Sequence, residues 1–399
     1  MKKILFILTA AFLLAAGLAG FAQDAASGSI VVTADTKLAN PTIIFTSGLS
    51  DQALSAKILS DLNNCGWFTV LKSGSAAYLV SAKGRLNNFT VTVTNNAGVA
   101  VCSFNIADSK DVDSAAHTAV DTILNRLFGI QGICRSKIVF SAYVNAKNRE
   151  IFICDFDGSN IRQLTHENTL CIQPVWAADG KSFLYIRYNP AHTNLMQYNM
   201  GLDLSRRLVV GAGGSLSPDG KTIAMTNNVD LFTRPLEGGK LKQITSGKAA
   251  ETSPRWSPDG KKLCYVSDVK GGRPLIYVIA PVAGGKGTEI SGLVGSERTA
   301  PSWSADNKLA YCAKIGRNYE LRVAKLSAGG KSADMEKIGT PGNDTFPGED
   351  PSWAPDNRHV TLTGNNAIYV IDTWLGKKRT LVTGTRELGH SSWSPILTK

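Results

Sequence analysis

Five histidines, at positions 117, 166, 192, 359 and 390, have the side chain best suited to proton transfer or metal ligation near neutral pH. None stands in a ligand spacing such as H-E-x-x-H, and none has an acid and a serine grouped about it as a hydrolytic constellation requires. His117 falls on a helical stretch and reads as a structural polar contact. No G-x-S-x-G nucleophile turn occurs. Gly-Gly-Lys could cradle a phosphate, and it ends at Lys240, Lys286 and Lys331, with a related Leu-Gly-Lys at Lys377. It opens no helix and recurs at one place in a repeat, so it reads as a hairpin turn. DFDGSN (155–160) begins like a calcium loop but lacks the terminal bidentate acid. Catalysis, a metal and a cofactor are therefore not expected.

Seven cysteines (65, 102, 134, 154, 171, 264 and 312) are an odd number with no CxxC pair or tight cluster, so neither a disulfide framework nor a zinc site is written here. Cys102, Cys154, Cys264 and Cys312 lie in apolar, strand-like runs and read as small hydrophobes. A single bridge stays open.

What remains is a set of acids and hydroxyls standing just ahead of recurring tryptophans. Glu251, Thr252 and Ser253 precede Trp256; Glu297, Arg298 and Thr299 precede Trp303; Glu349 and Asp350 precede Trp353. Gly213 stands ahead of Leu216, where the absence of a side chain would allow close backbone approach. Such groups, on variable loops over a rigid scaffold, would form a carboxylate-lined rim able to read a protein partner.

The scaffold is a repeat. QPVWAADGKSFLYI, GGSLSPDGKTIAMT, SPRWSPDGKKLCYV, APSWSADNKLAYCA, DPSWAPDNRHVTLT and HSSWSP align on Trp176, Leu216, Trp256, Trp303, Trp353 and Trp393, separated by 40, 40, 47, 50 and 40 residues. That period, written in short strands and Gly-rich turns, predicts a β-propeller with one four-stranded blade per repeat. In each unit an inner strand ends at the tryptophan, Pro-Asp-Gly or Ala-Asp-Asn turns, and an apolar strand follows. Residues 137–165 supply only three strands, and the chain ends on one inner strand, HSSWSP. The last strand therefore completes the first blade, giving six blades and no free sheet edge at the join.

Ahead of the repeat, Lys2 and Lys3 lead an apolar run that ends at small residues before Gln23, as in a secretory signal peptide over 1–22. No cysteine follows it to carry a lipid, and no later stretch is long enough to span a bilayer. Residues 23–135 alternate strand runs with two helical patterns, one opened by Ser50-Asp51 and one by Asp113-Ser114 and closed at Gly129. They form a small α/β domain ahead of a propeller spanning 136–399, so the fold is mainly β. A net charge of +11 raises the question of nucleic acid, but no aromatic-basic interleaving accompanies it; a solvated basic surface in an anionic envelope fits better.

Signal, α/β module and W-S-P-D-G propeller, in this order, resemble the TolB family of the Tol-Pal system. The specific stretches are HTAVDTILNRLFGIQGICRSKIVF (117–140), SPRWSPDGKKLCYVSD (253–268) and the terminal SSWSPIL. Two departures are the short run between Val70 and Tyr78 and the leucine anchor at 216. The resemblance implies a non-enzymatic periplasmic protein with three kinds of partner. One is the peptidoglycan-associated lipoprotein, bound by the propeller with Thr252 at a matching position. Another is the inner-membrane protein TolA, bound by the mature N-terminus through Ile30, Val31, Val32 and Thr33. Other outer-membrane proteins are the third. It implies no nucleic acid and no membrane insertion, and a role in outer-membrane integrity and constriction at division. Two other classes share the propeller: a glycan or small-ligand binder using the central channel, and peptidases that would need a further α/β domain.

Overall fold

The computed structural model describes residues 22–23, 30–31, 39–339, 345–384 and 387–397. Of the expected N-terminal features, the signal peptide up to residue 21 and the positions Val32 and Thr33 lie outside these residues. Ile30–Val31 pairs antiparallel with Ala22–Gln23.

The α/β region is one five-stranded mixed sheet with two helices. Its strand order is Thr69–Val70, Thr42–Leu49, Tyr78–Arg85, Asn88–Asn95 and Ala100–Ala107; the first three are parallel and the last three antiparallel. Helix α1 spans Gln52–Asn64, and the Asp51 side chain caps it by accepting from the Ala53 and Leu54 amides. Helix α2 spans Val112–Phe128 and starts earlier than the expected Asp113-Ser114. Asp111 is the cap that accepts from Ser114 N, so Asp113 falls in the first turn, where its charge suits the helix dipole. Gly129 ends α2 at φ 66, a left-handed position a glycine takes without strain. Leu54, Ile58, Leu62, Val120, Ile123 and Leu124 recur at helical spacing and are fully buried against the sheet.

Six four-stranded antiparallel sheets follow. Blade one holds Lys137–Tyr143, Arg149–Asp155 and Arg162–Gln163, and its inner strand is the last of the chain, Leu388–Trp393, with Trp393 opposite Ile138. The inner strands of blades two to six are Cys171–Trp176, Ala212–Leu216, Glu251–Trp256, Arg298–Trp303 and Glu349–Trp353. The closure expected from the strand count is present. Successive blades bury Tyr185, Tyr265, Tyr311, Val360 and their neighbours between them. Each such side chain contributes roughly 2 kcal/mol by leaving water. All seven cysteines are free thiols, and six of them are buried.

The α/β region packs on the propeller face that carries the Pro-Asp-Gly-type and third-to-fourth-strand turns of blades six and one. Its core is continuous with theirs: Trp67, Phe128 and Ile133 share one cluster with Ile138, Phe156, Ala354 and Ile368. The connecting segment is clamped by Asp121 of α2, which accepts from the Cys134 amide at 2.9 Å and from the Arg135 amide and Nε at 3.1 Å. Gly132 has to be glycine here, because a Cβ would lie 2.0 Å from Asp121 Oδ1. Two polar groups pin the contact. The Lys57 ammonium reaches Asp157 at 2.7 Å in the DFDGSN turn, and His117 Nδ1 meets Asp61 at 2.7 Å with Asp155 at 3.8 Å from Nε2. The would-be calcium loop is thus a domain contact, and His117 is the structural polar group its setting suggested.

Candidate functional site

The inner strands place the residues singled out above, and each strand carries the same irregularity. The ladder to its neighbour slips by one residue at Ile172/Val175, Ala212/Ser215, Thr252/Arg255, Thr299/Ser302, Glu349/Ser352 and Gly389/Ser392. Within each slip one residue takes a left-handed backbone: Gln173, Gly213, Ser253, Ala300, Asp350 and His390, at φ between 48 and 53. Five of the six are not glycine, so each stores on the order of 1 kcal/mol of strain. Four precede a proline, which tolerates an inner-edge bulge because it has no amide to pair. Gly213, Ser253 and Asp350 are therefore equivalent positions on three blades, brought together at the rim of the channel.

The carboxylate rim needs correction. Glu251 opens its strand instead of sitting on a loop, and it is 8% exposed. Ser267 donates to one oxygen at 3.1 Å while the other has no partner, and burial pushes its pKa up to about 7. Glu297 is held by Lys314 and the Tyr319 hydroxyl, and Arg298 is paired with Glu289 at 3.0 Å. Ser267 belongs to the same blade as Glu251, Lys314 and Tyr319 to the blade that Glu297 leads into, and Glu289 to the blade before Arg298, so these side chains are drawn to other strands and not to the rim. Thr252 is exposed; Ser253 and Thr299 are half-buried. The acidic surface contracts to Glu349, Asp350 and Glu387. Glu349 is exposed, and partial desolvation followed by the Asp350 and Glu387 charges pushes its pKa upward. These acids line a groove of about 430 Å³ together with Tyr319, Asn365 and His390. His390 Nε2 lies 3.9 Å from Asp350, yet burial outweighs that carboxylate and lowers the imidazole's proton affinity. His390 and Glu387 were not singled out from sequence; the alignment of HSSWSP with DPSWAP was the available signal.

The channel has its own polar pattern. One residue before each anchor stand Val175, Ser215, Arg255, Ser302, Ser352 and Ser392. Ser302 accepts from the Trp353 amide at 3.2 Å, Ser352 from Trp393 at 2.9 Å and Ser392 from Trp176 at 3.2 Å. Each serine thus fastens the next blade, from five through six and one to two. Among the described residues this latch is absent on blades two to four, where valine cannot accept, the Ser215 hydroxyl has no partner and arginine replaces serine. Among the described residues no group of three His, Cys, Asp or Glu side chains could hold a metal ion.

A family model described as the TolB beta propeller domain matches residues 124–397. The chain belongs to that family. A TolB homolog from Protochlamydia amoebophila is 31% identical over 228 residues, covering 50% of this chain and 49% of the relative. One from Chlorobium luteolum is 26% identical over 176 residues, covering 42% and 40%. The chain therefore spans about half or less of the length of these TolB homologs. The crystal structure of TolB from Acinetobacter baumannii shares the fold with a TM-score of 0.75 at 21% identity, over 90% of this chain and 97% of that one. TolB-family propellers are non-enzymatic, which agrees with the lack of a catalytic grouping in the sequence. No helix among the described residues is long and apolar enough to cross a membrane.

Proposed function

We propose that this chain is an exported interaction protein of the Tol-Pal system, working in the periplasm. On this reading residues 1–22 are a cleaved signal, 23–135 the α/β domain and 136–399 the propeller. The propeller binds the peptidoglycan-associated lipoprotein, the stretch around Ile30–Thr33 binds a TolA-like inner-membrane protein, and other outer-membrane proteins are further partners. The outcome is support of the outer membrane and its constriction at division. The observation that carries the reading, beside the family, is which face stays free. The α/β region covers the turn face of blades six and one, so the opposite face, with the bulged strand starts and the Glu349–Asp350–Glu387 groove, is open to a partner. Strained, preorganised backbone at that face is what a docking surface needs.

The test uses Thr252→Arg with Glu349→Lys, both exposed, so that folding is spared. Calorimetric titration with the lipoprotein should lose at least about tenfold in affinity at an unchanged melting temperature. Undiminished binding by the folded double variant would move the docking surface elsewhere. Deleting residues 23–33 should abolish the TolA-like contact and leave the lipoprotein contact intact.

A further inference from the structure

The excess of basic charge has a place in the fold. In blades three to five the first-to-second and third-to-fourth turns lie on the face that also carries the α/β region, but that region packs over blades six and one. Lys221, Lys240, Lys242, Lys261, Lys286 and Lys331 stand on these turns or at the strand ends beside them. All are exposed, and none forms an ion pair among the described residues. The acids there are largely engaged. Glu237 is paired with Arg206 and Asp306 with Lys308, while Asp219 and Asp259 each accept from a serine hydroxyl and a lysine amide of their own turn. Asp334, which follows Lys331, is exposed.

The turns join into one surface. Lys242 Nζ of blade three donates to the Pro281 carbonyl of blade four at 3.5 Å, and Lys262 Nζ of blade four donates to the Gly329 carbonyl of blade five. Between blades three and four runs a groove of about 490 Å³, walled by Pro218, Pro258, Pro281 and Trp256. Asp219, Asp259 and Lys242 also line it, so the groove itself suits an uncharged, apolar side chain, and an acid fits better on the lysines around it. Val282, next in sequence to Pro281, is 52% exposed and extends the apolar strip. A flat bilayer is held off this surface, because the α/β region stands on the same face. An extended polypeptide is narrow enough to lie beside that region.

We propose that the turn face of blades three to five docks an acidic, extended segment of a partner protein. Its carboxylates meet Lys240, Lys261, Lys286 and Lys331, and an apolar side chain between them enters the Trp256 groove. The surface is opposite the face assigned above to the lipoprotein and does not rest on that assignment. Its lysines are long, exposed cations, so the pairing governs association rate and salt dependence more than tightness.

The experiment uses the chain purified after export and a fluorescent glutamate-rich peptide carrying one leucine, read by anisotropy. Saturable binding is expected at low salt, and it should weaken at least about tenfold at about 1 M salt, where screening shortens the reach of a charge to about 3 Å. Lys240→Glu, Lys261→Glu and Lys286→Glu together should cost at least about tenfold in affinity at an unchanged melting temperature. Replacing the peptide's leucine by serine should cost severalfold. As a control, Lys147→Glu, Lys248→Glu and Arg273→Glu reverse three exposed charges on the opposite face and should leave peptide binding as in the parent. Absence of saturable binding, or an equal loss in the control, overturns the proposal. Tighter binding of polyphosphate or of phosphatidylglycerol vesicles than of the peptide would assign the lysines to another polyanion and overturn it as well. A turn-face variant that loses the peptide yet keeps the lipoprotein supports the acidic-segment site and leaves the docking reading standing.

Discussion

The Arg358 guanidinium of blade six lies between two indole rings, 4.5 Å from the centroid of Trp67 in the α/β region and 4.7 Å from that of Trp374. It also pairs with Asp372 at 2.6 and 3.0 Å and donates to Asn40 at 2.8 Å, while Trp67 Nε1 donates to Asp356 at 3.0 Å. One cation thus ties the first strand's approach, the end of α1 and the sixth blade. Gly66 sits against this cluster at φ 76, where a Cβ would meet His359 Nε2 at 2.2 Å.

Removing that cation should uncouple the two parts. Arg358→Ala takes the guanidinium from the buried Asp372, leaving it the His359 ring at 3.9 Å and the Trp374 and Leu375 amides, and opens an empty slot between two indoles, a combination worth roughly 3 kcal/mol. The expected result is an earlier unfolding transition in denaturant and faster proteolysis near 129–136. Trp67→Phe should be milder, since it keeps an aromatic face and loses only the bond to Asp356. Wild-type protease resistance in Arg358→Ala would show that the apolar contact alone holds the region.

His117 makes the same contact sensitive to pH. Burial works against its proton, but the Asp155 and Asp61 carboxylates outweigh it and raise the pKa to about 9, with Lys57 opposing and Asp157 close by. Burial pushes Asp61 in the protonated direction as well. The 2.7 Å pair holds one proton, which we assign to the imidazole because Asp155 faces it too and is held below the ordinary carboxylate range despite its burial. A group whose folded pKa exceeds its unfolded value near 6.5 gives stability that is fully present below about pH 6.5. That stability is lost as pH rises toward 9, an effect of roughly 2 kcal/mol. Melting temperatures across that range should decline in the parent chain, and His117→Gln should flatten the decline. An identical slope in the variant would exclude His117 as its source.

Much of this could be read from the residues and some could not. The six anchors, the borrowed strand and the caps at Asp51 and Gly129 follow from local spacing, because turn and cap chemistry is set by a few adjacent residues. The cap at Asp111 competed with Asp113, two residues apart and equal in type; only the amide geometry at Ser114 decides between them. Glu251, Glu297 and Arg298 read as a rim because each stands ahead of a tryptophan. Which side of a strand they face depends on where the bulge falls, and the bulge is a property of the closed ring. The serine latch was not legible either, because it joins residues about 40–50 apart in sequence and 216 apart at the closure.

Glu251 should act in a lower pH window than His117. Its carboxyl is buried beside Ser267, with Asp230 and Asp268 adding negative charge, so the folded chain keeps its proton up to about pH 7 while the unfolded chain releases it near 4.5. The folded state then binds more protons between those limits, and stability falls as pH rises from about 4.5 to 7. Glu251→Gln removes the ionisable proton and keeps the shape. After allowance for solvent screening it should stabilise the chain by about 1–2 kcal/mol at pH 8 and little at pH 4.5. Destabilisation at pH 8 would mean that the ionised carboxylate has a partner in solution, and the assignment would fail.

The bulge strain can be measured at Ala300. Its φ of 48 is left-handed without the side-chain hydrogen bonding that eases asparagine or aspartate there. Glycine removes a Cβ penalty of roughly 1–2 kcal/mol and adds roughly 0.4–1 kcal/mol of unfolded-state entropy, so Ala300→Gly should gain about 0.5–1 kcal/mol. Gly213, at φ 51 on blade three, provides the reverse experiment. A Cβ there would stand 3.2 Å from Thr226 Oγ1 and take on the same backbone strain, so Gly213→Ala should lose at least as much as Ala300→Gly gains. Opposite shifts in denaturation midpoint, with unchanged slopes, are expected for the two variants. A loss of stability in Ala300→Gly would show that the ring relieves the left-handed position by some means other than the backbone's own preference.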